Sequence, residues 1–353
     1  MLLHRCHSAV HQDDNAEAFG PQLPTTGELL QLLASANNKL QHMTSRLVMC
    51  KFGLERYGSD SSTLMFYTGF SSYNQLTGFF HWMQPVAQQM AYPYSAAKPG
   101  PSVGGTRLLA LYDELFLTLC RLHAGLLEQD LADRFKCSVS TVSRTCLAWI
   151  NLLYVVLGSI NIWPSREAID KHMPPGLKAC FPKVRVVIDC TEIFTQKPSS
   201  LLANSQLCSN YKSHTTFKAL VGTAPHGPFT FVSSLFSGAI SDVEITKVSG
   251  LLDLLESGDA VMADKGFTIG SVLADRGVDL VIPHFLSSRG QFSSEEVKQN
   301  DAITAHRVHV ERAIRRVKEN RIFQGIIPLS MLGSMNQIWT VCCLLSNFRA
   351  SLF

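Results

Sequence analysis

Short apolar runs that end on an acidic residue recur in the second half of the chain. Residues 184–188 are apolar and β-branched at four of five positions and are followed by Asp189, and residues 260–263 form a second run that is followed by Asp264. Both runs are typical of buried strands. Because an unpaired carboxylate is costly to bury, an acid at this point either caps the next turn or holds a cation.

A third acid, Glu311, lies in a segment of helical periodicity, with Val310, Ile314 and Val317 on one face. Two strand-end aspartates and one helical glutamate can converge on a pair of Mg²⁺ or Mn²⁺ ions. Hard divalent cations prefer carboxylate oxygen, and two such ions can clamp the attacking and leaving oxygens of a phosphoryl displacement. The pattern therefore makes the acidic triad of Asp189, Asp264 and Glu311 a candidate metal-binding set.

The elements around these acids follow a recognisable order. Two strands are predicted at 216–223 and 228–236, with His226-Gly227 as the turn between them. A helix at 243–255, the Asp264 strand, a helix at 270–275, a strand at 278–283, a polar loop or short helix at 287–302 and the Glu311 helix come next. This order predicts an α/β, ribonuclease-H-like catalytic domain built on a mixed five-stranded sheet with helices.

A helix-turn-helix pattern precedes this domain. Apolar residues space one helix over 127–135, Lys136-Cys137 form a short turn, and Ser138 is a good N-cap for a second helix. The start of the second helix carries small polar and basic groups that could enter the major groove of DNA, namely Ser140, Thr141, Ser143 and Arg144. Helix pairs in ordinary bundles look alike, so packing without DNA contact is the alternative.

The chain is too long for one compact domain by the usual prior, and its 46% hydrophobic content can fill a sizeable core. We predict a leader and helix over 1–51, with the helix at 26–47, and an all-α helix-turn-helix module over 52–160. An irregular, proline-containing connection over 161–182 then leads to the catalytic domain at 183–353. A Pro-, Gly- and Ser-rich stretch at 95–106 reads as a linker.

Five short motifs agree in order and character with one family. They lie at residues 188–192, 210–218, 238–242, 263–267 and 308–314. Together they resemble the DDE-superfamily endonucleases of Harbinger-type transposases, and the resemblance runs from about residue 52 to the C-terminus. It implies the same acidic triad, two divalent metal ions, DNA binding by the helical module, and cleavage and strand transfer of double-stranded DNA. In the mechanism that the resemblance implies, water would attack phosphorus in the cleavage step, and a DNA 3′-hydroxyl would attack in the joining step.

Further polar residues near the motifs are candidates for supporting roles. Asp242 is at the start of a predicted helix, where an N-cap is one interpretation. The other is a supporting acid, because the family that the chain resembles has a Gly-to-Asp motif at this point. Arg315 and Lys318 follow Glu311 by one and two helical turns, and they could hold phosphates at the acid site or belong to a solvated face.

Three residues at or just before the start of the predicted strand at 216–223 could contact the DNA backbone. They are Lys212, His214 and Lys218, and a solvated edge is an equal alternative for them.

Composition adds limits rather than an identity. The formal net charge of +3 is too small to indicate nucleic acid by itself, and the ten cysteines have no CxxC spacing, which favours reduced thiols. No uncharged apolar run reaches the length of a membrane span, so we expect no membrane partner. For a DNA endonuclease with this pattern we expect a nuclear location, while an oligomeric state and a separate DNA-binding partner protein stay open.

Two other functions fit parts of the pattern. A domesticated, catalytically silent transposase relative would keep the fold and bind DNA or protein without cutting. An aspartyl-phosphate phosphatase needs a second acid two positions after the first, and Thr191 stands there instead. The metal-dependent DNA endonuclease therefore remains the primary prediction.

Overall fold

A computed structural model describes residues 24–92, 107–199, 214–285 and 291–349. The chain divides into two compact units, residues 1–51 and 52–353. The first unit contains helix α1 (Thr26–Cys50), which begins with a capping box: the Thr25 hydroxyl accepts from the Glu28 backbone N–H, and the Glu28 carboxylate accepts from that of Thr25. The predicted helix at 26–47 is thus confirmed, whereas the predicted linker at 95–106 lies outside the described residues.

The second unit begins with short helices that bury their aromatic and aliphatic faces. They are α2 (Leu54–Tyr57), α3 (Ser61–Thr68), α4 (Tyr73–Ala87), α5 (Leu111–Leu119), α6 (Glu128–Phe135) and α7 (Val139–Gly158). Between α6 and α7 the chain turns through Lys136, which adopts a left-handed conformation, and Ser138 then caps α7 by accepting from the Thr141 N–H. This is the helix-turn-helix geometry that the sequence predicts.

Helix α7 is long and apolar enough to cross a membrane by length and composition alone. Part of its apolar surface instead belongs to the core of the folded unit: Val142, Trp149 and Leu153 are fully buried, whereas Val155 is exposed. Packing against the other helices accounts for the buried face of α7.

The connection at 161–182 is more ordered than the prolines suggest. It contains α8 (Arg166–His172), capped by Ser165, and α9 (Pro175–Cys180), which has proline in its first turn. Proline is compatible with that position because the first helical N–H groups have no intrahelical acceptor. The prediction of an irregular segment is corrected here.

The described strands form one mixed sheet. They are β1 (Val184–Phe194), β2 (Thr216–Thr223), β3 (Phe229–Val232), β4 (Phe236–Ser237), β5 (Ala260–Met262) and β6 (Asp279–Val281). Their order is β3-β2-β1-β5-β6, with β4 also paired to β2. The β1–β2, β2–β3 and β2–β4 pairs are antiparallel, and β1–β5 and β5–β6 are parallel. This is the mixed sheet of a ribonuclease-H-like fold, as predicted.

One predicted strand is split in two. The run at 228–236 forms β3 and β4, because the ladder is interrupted between them: the Leu220 N–H donates to the Ser233 hydroxyl, and the Leu235 N–H donates to the Asn336 side chain. The sheet therefore has six described strands rather than five.

Helices flank the sheet: α10 (Asp242–Val248), α11 (Gly270–Ala274), α12 (Ser294–Lys318) and α13 (Met335–Ser346). The predicted helix at 243–255 is shorter, because Gly250 takes a left-handed conformation and a 3₁₀ turn follows it. In contrast, α12 extends across most of the predicted polar loop. Ser293 and Glu296 form a capping box that starts this helix.

The two faces of β1 contribute to different cores because side chains alternate along a strand. Val187 and Ile193 belong to the core that also holds Val310 of α12 and Trp149 of α7. Val186 and Ile188 belong to a second core with the helices on the other side. Asp189, which shares the parity of Val187, therefore lies on the α12 side of the sheet.

Candidate active site

Asp189 and Asp264 are neighbours because the sheet register places them side by side. In the parallel pair of β1 and β5, Val187 lies opposite Met262, and each aspartate follows two residues later. Each carboxylate also accepts the next backbone N–H, from Cys190 at 2.8 Å and from Lys265 at 2.7 Å. Both aspartates thus reach the same end of the sheet on the same face.

Glu311 reaches this point from α12. The buried face of α12 carries Val310, Ile314 and Val317, which hold the helix in the core beside β1. The Glu311 side chain is about half exposed, at 54%, as is that of Asp264, at 51%. All three acids line a cavity of about 640 Å³ together with Thr191, Glu192, Lys218, Asp242 and Lys318. The structure thus brings together the three acids that the sequence singles out.

Arg307 lies among these acids. One Arg307 Nη is 3.1 Å from Asp264 Oδ1, and the other is 3.3 Å from Glu311 Oε1. Its side chain is only 13% exposed, and its Nε has no hydrogen-bond partner within the described ranges. The sequence contains Arg307 in a basic helical segment, but nothing in that pattern assigns it to the acid site.

The charge of Asp189 depends on its surroundings. Burial raises the pKa of this carboxyl to about 6, and the nearby negative charges of Glu311 and Asp264 act in the same direction. The positive charge of Arg307 and the hydrogen bond from the Cys190 N–H act against them. A cation beside Asp189 therefore favours the ionised carboxylate.

The donor set suits a hard divalent cation, because it consists of carboxylate oxygens at one end of a sheet. Across 24–92, 107–199, 214–285 and 291–349, however, no group of three His, Cys, Asp or Glu side chains converges closely enough to enclose a metal ion. The Arg307 guanidinium, which pairs with Asp264 and Glu311, lies between them. The residue types thus fit a divalent metal, and the guanidinium pairs with two of the three acids.

Lys218 and Asp242 form an ion pair on the other side of the same cavity. The Lys218 Nζ is 2.7 Å from Asp242 Oδ1 and donates to the Ile240 carbonyl at 3.1 Å. Both side chains are largely shielded from solvent, with 13% and 31% exposed. Ser241, not Asp242, is the N-cap of α10, which corrects the alternative that Asp242 is a helix cap. Lys218 is largely buried, which corrects the alternative that it lies on a solvated edge.

Burial raises the pKa of the Cys190 thiol, and the nearby carboxylate of Asp242 raises it further. The thiol therefore stays protonated beside the Lys218–Asp242 pair and is unsuited to act as a nucleophile.

The remaining candidates near the site are dispersed. Lys318 lines the cavity, whereas Arg315 is exposed on the same helix and does not line it. His214 is exposed, and its ring centroid is 5.7 Å from that of Phe194. Lys212 lies outside the described residues.

The start of α7 presents polar groups to solvent. Ser140, Ser143 and Arg144 are exposed, and Thr141 is half-buried. The Ser138 hydroxyl lies 2.9 Å from the hydroxyls of Ser140 and Thr141, and Arg144 Nε donates to the Ser140 carbonyl at 3.1 Å. These bonds hold the first turn of α7 in place while leaving most of the Arg144 donors available.

Comparison with known protein families gives two matches. Residues 188–347 match the family described as DDE superfamily endonuclease, and this range includes all three acids. Residues 106–159 match the family described as helix-turn-helix of DDE superfamily endonuclease, which covers α5 to α7. A search of curated proteins found no match.

Proposed function

We propose that this chain, a transposase-like DDE-superfamily endonuclease with a helix-turn-helix module, cleaves and joins double-stranded DNA by a two-metal mechanism of the Harbinger type. The observation that carries the proposal is the meeting of Asp189, Asp264 and Glu311 at one cavity. The carboxylates come from two parallel strand ends and from a helix packed against the sheet, and they are the residue types that metal-assisted phosphoryl transfer uses.

The residues that line the cavity would have different roles. Asp189, Asp264 and Glu311 would hold two Mg²⁺ or Mn²⁺ ions, which when bound would neutralise charge on the attacking and leaving oxygens. Lys318 lines the same cavity and would bind a phosphate of the DNA strand. Lys218 would hold Asp242 in position through their ion pair, and Asp242 would support the site without being a ligand.

The helix-turn-helix module would supply DNA affinity. Its exposed residues at the start of α7 have the size and polarity that a recognition helix needs. A protein that acts on chromosomal DNA in this way would work in the nucleus.

Arg144→Ala is expected to weaken DNA binding through the loss of one phosphate contact. Each phosphate contact contributes about 0.9 to the slope of log affinity against log salt, so the slope should become shallower by about one unit. The measurement is binding to a labelled duplex over a salt series. Lys171→Ala, which removes an exposed cation on α8, is the control and should leave the slope almost unchanged. Equal slopes for the wild type and Arg144→Ala would favour a packing role for α7.

The endonuclease proposal is tested by nicking of a DNA that carries the ends of the parent element. The wild-type chain should nick this DNA in Mg²⁺ or Mn²⁺ and fail to do so in EDTA. Binding without nicking under every metal condition would instead support a catalytically silent, DNA-binding relative.

A further inference from the structure

Helix α1 carries an apolar seam that is exposed within the described residues of its unit, 24–51. In a heptad numbering, the a positions are Leu33, Leu40 and Leu47, and the d positions are Leu29, Ala36, Met43 and Cys50. We call these seven residues the heptad seam. The five large side chains of the seam are between 47% and 69% exposed, although single leucines in folded proteins are usually buried.

The outer face of α1 is polar, as a two-stranded coiled coil requires. The f positions are Gln31, Asn38 and Ser45. The helix of 25 residues is about 37 Å long, which gives the seam roughly three heptads of contact.

We propose that the heptad seam joins two copies of this chain in a parallel coiled coil. A second copy is the occupant that fits, because the seam repeats with alternating steps of three and four residues, which is the spacing that knobs-into-holes packing between like helices needs.

The charge of Lys39 beside the heptad seam favours the parallel orientation. Lys39 and Arg46 both occupy g positions, and the e positions five residues after them are Thr44 and Lys51, the residue that follows α1. In a parallel pair each g residue faces the e residue five positions later on the other helix, so Lys39 meets the neutral Thr44, and Arg46 meets Lys51 only beyond the last residue of α1. In an antiparallel pair that overlaps along the whole of α1, g faces g, and the two Lys39 side chains would meet near the middle of the helix.

The first experiment measures the mass of the full chain in solution by light scattering at micromolar concentration. The wild type should be a dimer, and the double variant Leu33→Glu, Leu40→Glu should be a monomer, with the dissociation constant raised by about a hundredfold or more because charged groups would be buried in the seam. Gln31→Glu, Asn38→Glu adds the same charge on the outer face and should remain dimeric. A monomeric wild type, or a dimer that survives the seam variant, would overturn the proposal.

The second experiment tests the orientation. Cys50 is exposed and ends the seam at a d position, and d positions meet across a parallel pair. Mild oxidation with diamide should therefore give a disulfide-linked dimer, and Cys50→Ser or the seam double variant should abolish it. A dimer that depends on the seam but forms no Cys50 cross-link would contradict the parallel arrangement.

A separate observation concerns Arg307, whose guanidinium pairs with both Asp264 and Glu311. We infer that Arg307 is a built-in cation that competes with divalent metal for these two carboxylates. This inference rests on the proposed function, since it assumes that Asp264 and Glu311 are metal ligands.

The geometry supports competition because a guanidinium and a metal ion need the same oxygens. Arg307 lies one turn before Glu311 on α12, so its side chain stays within reach of the site whatever the state of the carboxylates. Its Nε lacks a hydrogen-bond partner among the described residues, so the guanidinium is incompletely satisfied where it lies. Metal binding would release Arg307 from both carboxylates.

The test measures Mn²⁺ binding to the full chain without DNA. Binding is monitored through the loss of the electron paramagnetic resonance signal of free Mn²⁺. Arg307→Gln should bind Mn²⁺ about tenfold or more tightly, because a competing positive charge is removed from the ligands. Arg312→Gln removes an exposed charge from the same helix and should change binding less than about twofold.

The outcomes separate this inference from the proposed function. Equal effects of Arg307→Gln and Arg312→Gln, or weaker binding in Arg307→Gln, would overturn the competition while leaving the metal site in place. Failure of both the wild type and Arg307→Gln to bind Mn²⁺ would contradict the competition and the two-metal proposal together. Glu311→Gln added to Arg307→Gln should abolish the tight binding, which assigns it to this cavity.

Discussion

Asp264→Asn is expected to abolish DNA cleavage while leaving DNA binding intact. The amide keeps the size of the side chain but removes a negative charge from the proposed metal ligands, and neutral oxygen is a much weaker ligand for Mg²⁺. Metal ions contribute several kcal/mol of transition-state stabilisation, so the loss should be roughly a thousandfold or more in nicking rate. The measurement compares nicking with binding of the same labelled DNA.

The control for this variant is Asp275→Asn. Asp275 is an exposed acid just after α11, so the same substitution there should change neither nicking nor binding. Binding by Asp264→Asn should be unchanged or slightly tighter, because less negative charge then faces the phosphates. Nicking at near wild-type rate by Asp264→Asn would remove this residue from the proposed catalytic triad.

Strand positions were the most predictable part of the fold. β2 spans 216–223 in both the prediction and the structure, because it is an uninterrupted run bounded by turn residues. The run at 228–236 was equally apolar but is split into two strands. The backbone N–H groups of Leu220 and Leu235 donate to the side chains of Ser233 and Asn336 instead of to strand carbonyls. Such contacts join residues far apart in the chain, and hydrophobic periodicity does not reveal them.

The start of α12 was left open between a polar loop and a short helix, for a different reason. Its first turns are polar, and a polar segment reads as a loop when hydrophobic periodicity is the main signal. A signal was present nonetheless: Ser293 and Glu296 have the spacing of a capping box. Local capping chemistry was therefore more informative here than the apolar pattern.

The acids of the candidate site were found from the sequence, but the ion pairs that basic residues form with them were not. Asp189 and Asp264 stand at the ends of short apolar runs, which is a local feature. The pairing of Arg307 with Asp264 depends on how α12 packs against the sheet, and the pairing of Lys218 with Asp242 depends on the path of the chain after β4. Both pairs are set by tertiary packing and carry no short sequence signature.

Glu114→Ala is expected to destabilise the second unit strongly. Glu114 of α5 is 3% exposed, and its carboxylate accepts from the Trp149 indole N–H at 3.0 Å and from the Tyr92 hydroxyl at 2.5 Å. Arg107 lies 4.0 Å away as a counter-charge. Alanine would leave these donors without their acceptor, and breaking a buried charged network typically costs about 3–5 kcal/mol.

The measurement is urea unfolding followed by tryptophan fluorescence, since Trp149 is itself a partner of Glu114. Glu114→Gln keeps one carbonyl acceptor and should lose less stability than Glu114→Ala, whereas Glu55→Ala, at an exposed site on α2, should have little effect. Because Trp149 lies on α7, loss of the Glu114 acceptor should also weaken DNA binding by the start of that helix. If Glu114→Ala lowers the free energy of unfolding by less than about 1 kcal/mol, water or other groups must accept the hydrogen bonds of Trp149 and Arg107. The buried carboxylate would then not fix α7 against α5.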